Sequence, residues 1–287
     1  MSDFWRSPLD PERVMSTHVA HWQEDQQERR EEYLTVEEPL ELRLGGRSLA
    51  VIMRTPGHDH ELARGFLLTE GIIRQGDDIV ALQPASDADG LPLANVLDIT
   101  LRASLMTEEA ESAFSRRFAV SASCGLCGKE SIADVLCTSE PVAMDNFSVP
   151  AGKLYELPAR LREAQAVFTH TGGLHAAGLF NERGELCLLR EDVGRHNAVD
   201  KLIGHGLLHA TLPYSRSILL VSGRTSFEII QKALWARIPC IAAISAPSSL
   251  AVELAEQGGI TLVGFLRAQT MNVYSHPERI VPLSTKR

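Results

Sequence analysis

A chain of 287 residues that is 44% hydrophobic and 23% charged can bury one large or two medium cores, which excludes a disordered protein. Its formal charge of −9 argues against non-specific nucleic-acid binding, which needs a basic footprint, but leaves room for an anionic small ligand in a local basic pocket. No apolar run reaches membrane-spanning length, residues 1–32 lack a secretory pattern, and five cysteines fit a reducing compartment, so a cytoplasmic protein of two domains without membrane insertion is expected.

Residues 1–30 carry Glu, Gln and Arg without an apolar stripe and read as a flexible surface segment. Leu40, Leu42 and Leu44 alternate with polar residues, Gly45-Gly46 supplies a turn, and Leu49, Val51 and Met53 alternate again, which predicts a hairpin. Asp59 is placed to cap a helix carrying Leu62, Ala63, Phe66 and Leu67 at helical spacing, closed by Gly71. His58 and His60 at its start read as a polar capping cluster, with a metal site as the alternative. Residues 77–90 read as loop and residues 96–101 and 114–120 as strands, so residues 31–120 are expected to form an α+β N-terminal domain.

Residues 121–148 connect this unit to the rest, and within them lies Ser123-Cys124-Gly125-Leu126-Cys127-Gly128-Lys129. Glycine after each cysteine and a nearby lysine describe a mobile, electropositive loop in which a thiolate is held. Three chemistries compete with an incidental pair. A structural zinc site needs four ligands, and Cys137 with His170 or His175 would have to complete it. A thioredoxin-like redox pair belongs at a helix start, whereas Gly128 and the surrounding pattern are loop. Sulfur carriage as a persulfide follows the same exchange chemistry and suits a loop that must reach both donor and acceptor. Cys187 and Cys240 sit in apolar runs and are expected to be buried, inert thiols.

From residue 149 onward, Leu154 and Leu157, then Leu161 and Ala164, predict two short helical pieces with Pro158 starting the second. Residues 167–170, 174–180 and 185–190 read as strands and residues 195–205 as a helix. The final third reads β-α-β-α-β: strands at 218–221, 240–244 and 260–266, with helices opened by the Thr225/Glu228 capping-box spacing and by Ser248. Such units form parallel sheets whose ligands sit beyond the carboxyl ends of the strands. Here those ends are Ser222-Gly223-Arg224, Ser245-Ala246 and Arg267. Gly223, Arg224 and Thr225 combine backbone donors, a guanidinium and a helix start; Gly172, Gly173, Arg195 and Arg267 add donors, so a phosphate-bearing ligand is expected at this edge. His175, beside apolar residues, reads as a core residue, a ligand or a base; His196 is better placed for a role, crowded by Asp192, Arg195 and Asn197.

Four stretches together resemble the formate dehydrogenase accessory sulfurtransferases, the FdhD family. They are the thiol loop, Thr171-Gly172-Gly173-Leu174-His175-Ala176-Ala177, Arg190-Glu191-Asp192-Val193-Gly194-Arg195-His196-Asn197-Ala198-Val199-Asp200-Lys201, and Ser222-Gly223-Arg224-Thr225-Ser226. Residues 55–71 and Asn272-Val273-Tyr274-Ser275-His276-Pro277 fit as well. The resemblance implies a homodimer that takes sulfur from a cysteine desulfurase as a persulfide, on Cys124 with Cys127 as its partner. It implies delivery of that sulfur to the bis(molybdopterin guanine dinucleotide) form of the molybdenum cofactor, destined for formate dehydrogenase. The implied cofactor-binding stretch is Phe265, Leu266, Arg267, Ala268, Gln269 and Thr270, in a pocket that a guanine nucleotide such as GDP also fits. After Arg267 the family pattern carries more glycine and positive charge than Ala268-Gln269-Thr270, which shifts the expected phosphate contacts toward Arg224 and Arg195.

The implied fold is α/β, with residues 149–287 forming a three-layer, cytidine-deaminase-like domain. Zinc deaminases need H-x-E and P-C-x-x-C; His175-Ala176-Ala177 lacks the glutamate and Pro239-Cys240-Ile241-Ala242-Ala243 the second cysteine, so deamination is not expected. A non-catalytic chaperone that binds the cofactor and a zinc-stabilised regulator remain the alternatives.

Overall fold

In the computed structural model, which describes residues 12–105, 141–142 and 147–282, the chain begins with an antiparallel hairpin of β1 (Val14–Gln23) and β2 (Gln26–Thr35). This is the segment expected to be flexible. Both of its faces are largely polar, so strand formation leaves no apolar stripe to read; only the base is anchored, by Val14 against Val167 and Leu174.

β3 (Glu38–Leu44) and β4 (Arg47–Arg54) pair about Gly45-Gly46, both at positive φ, and Leu40, Leu42 and Leu44 are buried as their alternation requires. β4 departs from expectation. Leu42 faces Ala50 and Arg43 faces Ser48, so Leu49 is the extra residue of a bulge. The bulge shifts the alternation by one: Leu49 and Arg54 are buried, whereas Val51 and Met53 are exposed.

α1 (Asp59–Thr69) is capped by position at His58, in the left-handed region, and Asp59 instead accepts two hydrogen bonds of 2.9 Å from Arg54. β5 (Ile79–Ser86), read as loop, pairs with β6 (Pro92–Leu101) in a sheet of order β4-β3-β6-β5. As an edge strand, β5 tolerates Pro84 and polar residues that hide its alternation.

After β7 (Val149–Pro150) comes α2 (Ala151–Ala164), one continuous helix with Pro158 inside it rather than two pieces. Leu154, Leu157 and Leu161 are fully buried along one face, and that packing outweighs the hydrogen bond the proline removes. Residues 167–170 belong to the short helix α3 (Ala166–Thr171), not to a strand; it is closed by Gly172 at φ 65. There follow β8 (His175–Asn181), β9 (Leu186–Asp192), α4 (Arg195–Leu208), β10 (Ser217–Val221), α5 (Phe227–Trp235), β11 (Cys240–Ala243), α6 (Ser249–Gln257), β12 (Thr261–Gly264), β13 (Asn272–Ser275) and β14 (Ile280–Val281), which pairs with β7. Ser226, one residue later than expected, caps α5 by position and donates to Glu228 at 2.7 Å.

The central sheet has the order β13-β12-β11-β10-β8-β9, with β10, β11 and β12 parallel. Alternating side chains sort onto its two faces. Ala177, Leu219, Ile241 and Leu262 pack toward α4, α5 and α6, while Ala176, Leu220, Ala242 and Val263 pack against α2, giving a mixed α/β protein in three layers. The first of these cores runs without a break into Leu40, Leu62, Leu67 and Ile99, so the two expected domains share one apolar interior. From the expected linker, Val142 is buried in this core and Phe147 in the one against α2. Burial pushes the Cys240 thiol up to about 12. Cys187, expected to be buried, is exposed, because β9 is the edge strand of the sheet. No helix among the described residues is long and apolar enough to cross a membrane.

Candidate functional site

The stretch from Arg190 to Lys201 proves to be a joint before it is a site. Asp192 and Lys201 are fully buried and paired at 2.7 Å. Asp192 also accepts from the backbone N–H of Thr55 at 3.2 Å, from that of Gly194 at 2.8 Å and from Asn197 Nδ2 at 2.9 Å, while Lys201 Nζ donates to the Thr55 carbonyl at 2.8 Å. Thr55, more than a hundred residues away, thus answers Asp192 Oδ2 and Lys201 Nζ, while Gly194 and Asn197 answer Asp192 Oδ1 from within the turn, so the turn from β9 into α4 is fixed from both sides. One turn on, Asp200 accepts from Thr69 at 2.9 Å and Lys232 at 2.8 Å, and Arg190 forks onto Glu61. The helices α1 and α4 cross so closely that a Cβ on Gly204 would lie 1.8 Å from the Glu61 carbonyl oxygen.

Glu61, His205 and His209 bring ligand-type atoms within 4.8 Å of one another. Arg190 Nη2 already lies 2.7 Å from Glu61 Oε1 and 3.0 Å from His205 Nδ1, so a guanidinium supplies the positive charge that a metal would bring. Beside them, burial and then Arg190 push the His58 imidazole down to about 4. The unfolded chain, with an ordinary histidine near 6.5, binds that proton more readily. Stability is therefore unaffected above about pH 6.5 and is lost as the pH falls toward 4. His58→Gln is expected to flatten urea-measured stability against pH across that window; an unchanged slope would count against the assignment.

Past this joint, the strand ends open onto a cleft of about 450 Å³ lined by Gly172, Gly173, Leu174, His175, Ser222 and Ile244, and by Pro158, Arg162, Gln165 and Phe168. Gly223 sits close to the cleft's side chains: a Cβ would stand 3.2 Å from His175 Nδ1, a tight contact, and 3.5 Å from Arg195 Cδ. Gly223, His175 and Arg195 thus meet at the strand ends. Burial, then the charges of Arg195 and His196, lowers the His175 pKa, so its ring is neutral at pH 7. Arg195 Nε and Thr225 Oγ1 are buried and, among the described residues, have no hydrogen-bond partner. His196 is committed differently, its Nε2 lying 3.0 Å from Glu228 and 3.2 Å from Ser226. Burial opposes the charge on Glu228, yet the bonds from His196 and Ser226 hold its carboxyl below the usual range.

Arg224 is exposed beside Gly223. Leu266 is core, Phe265 is exposed at φ 51, and Ala268, Gln269 and Thr270 are exposed. Arg267 donates to the carbonyl of Ile244 at 2.5 Å, and its backbone N–H to that of Thr270 at 2.8 Å, so residues 267–270 form a closed loop at the cleft's border. The thiols Cys124, Cys127 and Cys137, with Lys129 and the strand expected at 114–120, lie outside the described residues. Phe168 escapes the sequence reading because residues 167–170 pattern as a strand, and Arg162 and Gln165 because the helix there reads as two short pieces. The signal for them was the leucine period, which continues unbroken through Pro158; Arg162 stacks 4.2 Å over the Phe168 ring.

Fold and site together define a mixed α/β protein with a cleft at its strand ends lined by Arg162, Gln165, His175 and Ser222 among apolar residues and glycines. The FdhD/NarQ family model matches residues 35–281, and the chain belongs to that family. The sulfur carrier protein FdhD of Mycolicibacterium paratuberculosis is 51% identical over 265 residues, covering 91% of this chain and 97% of that protein. Its namesake in Sulfurisphaera tokodaii is 43% identical over 254 residues, covering 88% and 92%. A crystal structure from Desulfotalea psychrophila, provisionally described as a formate dehydrogenase accessory protein, shares the fold with a TM-score of 0.71 at 24% identity, covering 94% of this chain and all of that one.

Proposed function

We propose that this protein is a sulfurtransferase that carries sulfur as a persulfide from a cysteine desulfurase to the bis(molybdopterin guanine dinucleotide) molybdenum cofactor of formate dehydrogenase. The observation that carries the reading is a C-x-x-C pair in a chain 51% identical, over nearly its whole length, to a protein named as a sulfur carrier. In the loading step the Cys124 thiolate attacks the outer sulfur of the desulfurase persulfide. That S–S bond breaks, the desulfurase thiolate leaves, and no net oxidation occurs. In the delivery step the Cys127 thiolate attacks Cys124 Sγ, expelling hydrosulfide with the bonding electron pair. The two thiols are oxidised to a disulfide, which a dithiol reductant then reopens.

The cofactor's pyrophosphates suit Arg195, Arg224, Arg267 and the donors of Gly172, Gly173, Gly223 and Thr225. The unmatched Arg195 Nε and Thr225 Oγ1 support that placement. The loop Phe265–Thr270 and His196 border the same ligand, and a guanine nucleotide such as GDP is the convenient probe of it.

The test is intact-mass spectrometry of anaerobic protein after incubation with a cysteine desulfurase and cysteine. Wild type and Cys127→Ala should gain the mass of one sulfur and Cys124→Ala should not; formate dehydrogenase activation should vanish with Cys124→Ala. No gain on any form would leave a cofactor-binding chaperone in place of a sulfur carrier.

A further inference from the structure

Two partners lie against His196 Nε2, and neither has a proton to give it. Glu228 Oε2 stands 3.0 Å away and Ser226 Oγ 3.2 Å away. The single hydroxyl proton of Ser226 is already donated to Glu228, across 2.7 Å. Burial works against the charge on Glu228, yet the bonds from His196 and Ser226 keep its carboxyl ionised at neutral pH, so it too is an acceptor. Nε2 is therefore the nitrogen that carries the proton, and in the neutral ring Nδ1 is left with a bare lone pair. Nδ1 has no hydrogen-bond partner among the described residues, and the side chain is 25% exposed.

Stability alone does not account for this carboxylate. Glu228 is buried, and its second oxygen, Oε1, has no partner among the described residues. A charge placed so is destabilising until every oxygen is answered. Lys232, one turn on along α5, is bonded to Asp200, so the cation bonded to Glu228 is the one that His196 becomes on taking a proton at Nδ1. We propose that Glu228 is a positioning residue that presents His196 Nδ1 as the proton acceptor for sulfur delivery. The substrate of this step rests on the sulfur-carrier reading. Hydrosulfide binds the cofactor's metal through a sulfur lone pair and loses its proton to remain there as sulfide. The S–H bond breaks, its electron pair stays on sulfur, and the proton passes to Nδ1. The imidazolium keeps its Nε2–H bond to Glu228 and then releases the Nδ1 proton to water; nothing is oxidised or reduced. The position suits the role, since Arg195, next in the chain, stands beside Gly223 and the charge of His196 reaches His175 in the cleft.

Nitrogen-15 NMR of the full chain, labelled at histidine, reads the tautomer, with the His196 signals assigned by their absence in His196→Gln. Wild type should show a protonated Nε2 and a bare Nδ1. Glu228→Gln, whose amide donates as well as accepts, should show both tautomers. In the same preparations, sulfur loading on Cys124, followed by intact mass, should persist in Glu228→Gln and so show that the variant folds. The rate of formate dehydrogenase activation should fall at least about tenfold. A protonated Nδ1 in wild type overturns the proposal, whether or not the variant folds. So does a variant that loads sulfur and activates at the wild-type rate, or one that slows with its tautomer unmoved. Wild type that gains no sulfur overturns the carrier reading and the delivery role together, which separates that failure from the others.

Discussion

Lys201→Ala is expected to lower the unfolding free energy by about 3–5 kcal/mol, because it strands Asp192 as an unpaired charge in the interior. Both side chains are fully buried, and Lys201 also carries the bond to the Thr55 carbonyl that ties β4's end to α4. Burial lowers the Lys201 pKa, and Asp192 is what opposes that shift, so neither group is comfortable without the other. Urea unfolding followed by circular dichroism measures the loss. The double variant Lys201→Met/Asp192→Asn should recover part of it, since it removes both charges and the Asn oxygen keeps the bonds from the Gly194 amide and Asn197, while the bond from the Thr55 amide is lost. A loss below about 1 kcal/mol in the single variant would mean that the joint is not held by this pair. The same variant should weaken GDP binding, because the turn that Asp192 pins is the one that sets Arg195 beside Gly223.

Gly204→Ala is the second large effect, and its sign is informative. On helix propensity alone alanine should stabilise the interior of α4 by about 1 kcal/mol. Sterics point the other way. The new methyl would stand 1.8 Å from the Glu61 carbonyl oxygen and 2.8 Å from the Gly65 amide nitrogen, both backbone atoms of α1 with no side chain to swing aside. Relief requires the two helices to separate, opening the core they share and lengthening the Arg190–Glu61 fork. Overpacking typically costs about 1–3 kcal/mol, and backbone against backbone belongs at or above the upper end. A thermal midpoint well below wild type is the expected result; a midpoint equal or higher would show that the crossing is looser than described.

The sequence alone carries much of this protein. The β-α-β-α-β unit is legible because parallel strands buried on both faces read as short apolar runs between amphipathic helices. The Gly45-Gly46 turn follows from a local conformational demand, and the C-x-x-C motif is recognisable from residue chemistry alone. Gly223 and Arg195 could be assigned to one sheet edge because strand direction decides where strand ends gather.

Tertiary structure decided the rest, wherever the deciding partner lies far along the chain. Local periodicity could not show the bulge at Leu49, which turns Val51 and Met53 outward, because a bulge is defined against the neighbouring strand. The leucine period does run through Pro158, but only the packing of Leu154, Leu157 and Leu161 shows that it outweighs the hydrogen bond the proline removes. Edge strands such as β5, and β9 with its exposed Cys187, lack the two-sided burial that writes a clear pattern. The motif from Arg190 to Lys201 looks from sequence like a ligand-binding turn. Only the folded chain shows that Asp192, Asp200 and Lys201 spend their charges on Thr55, Thr69 and Lys232, because a buried charge must find its partner wherever the fold brings one.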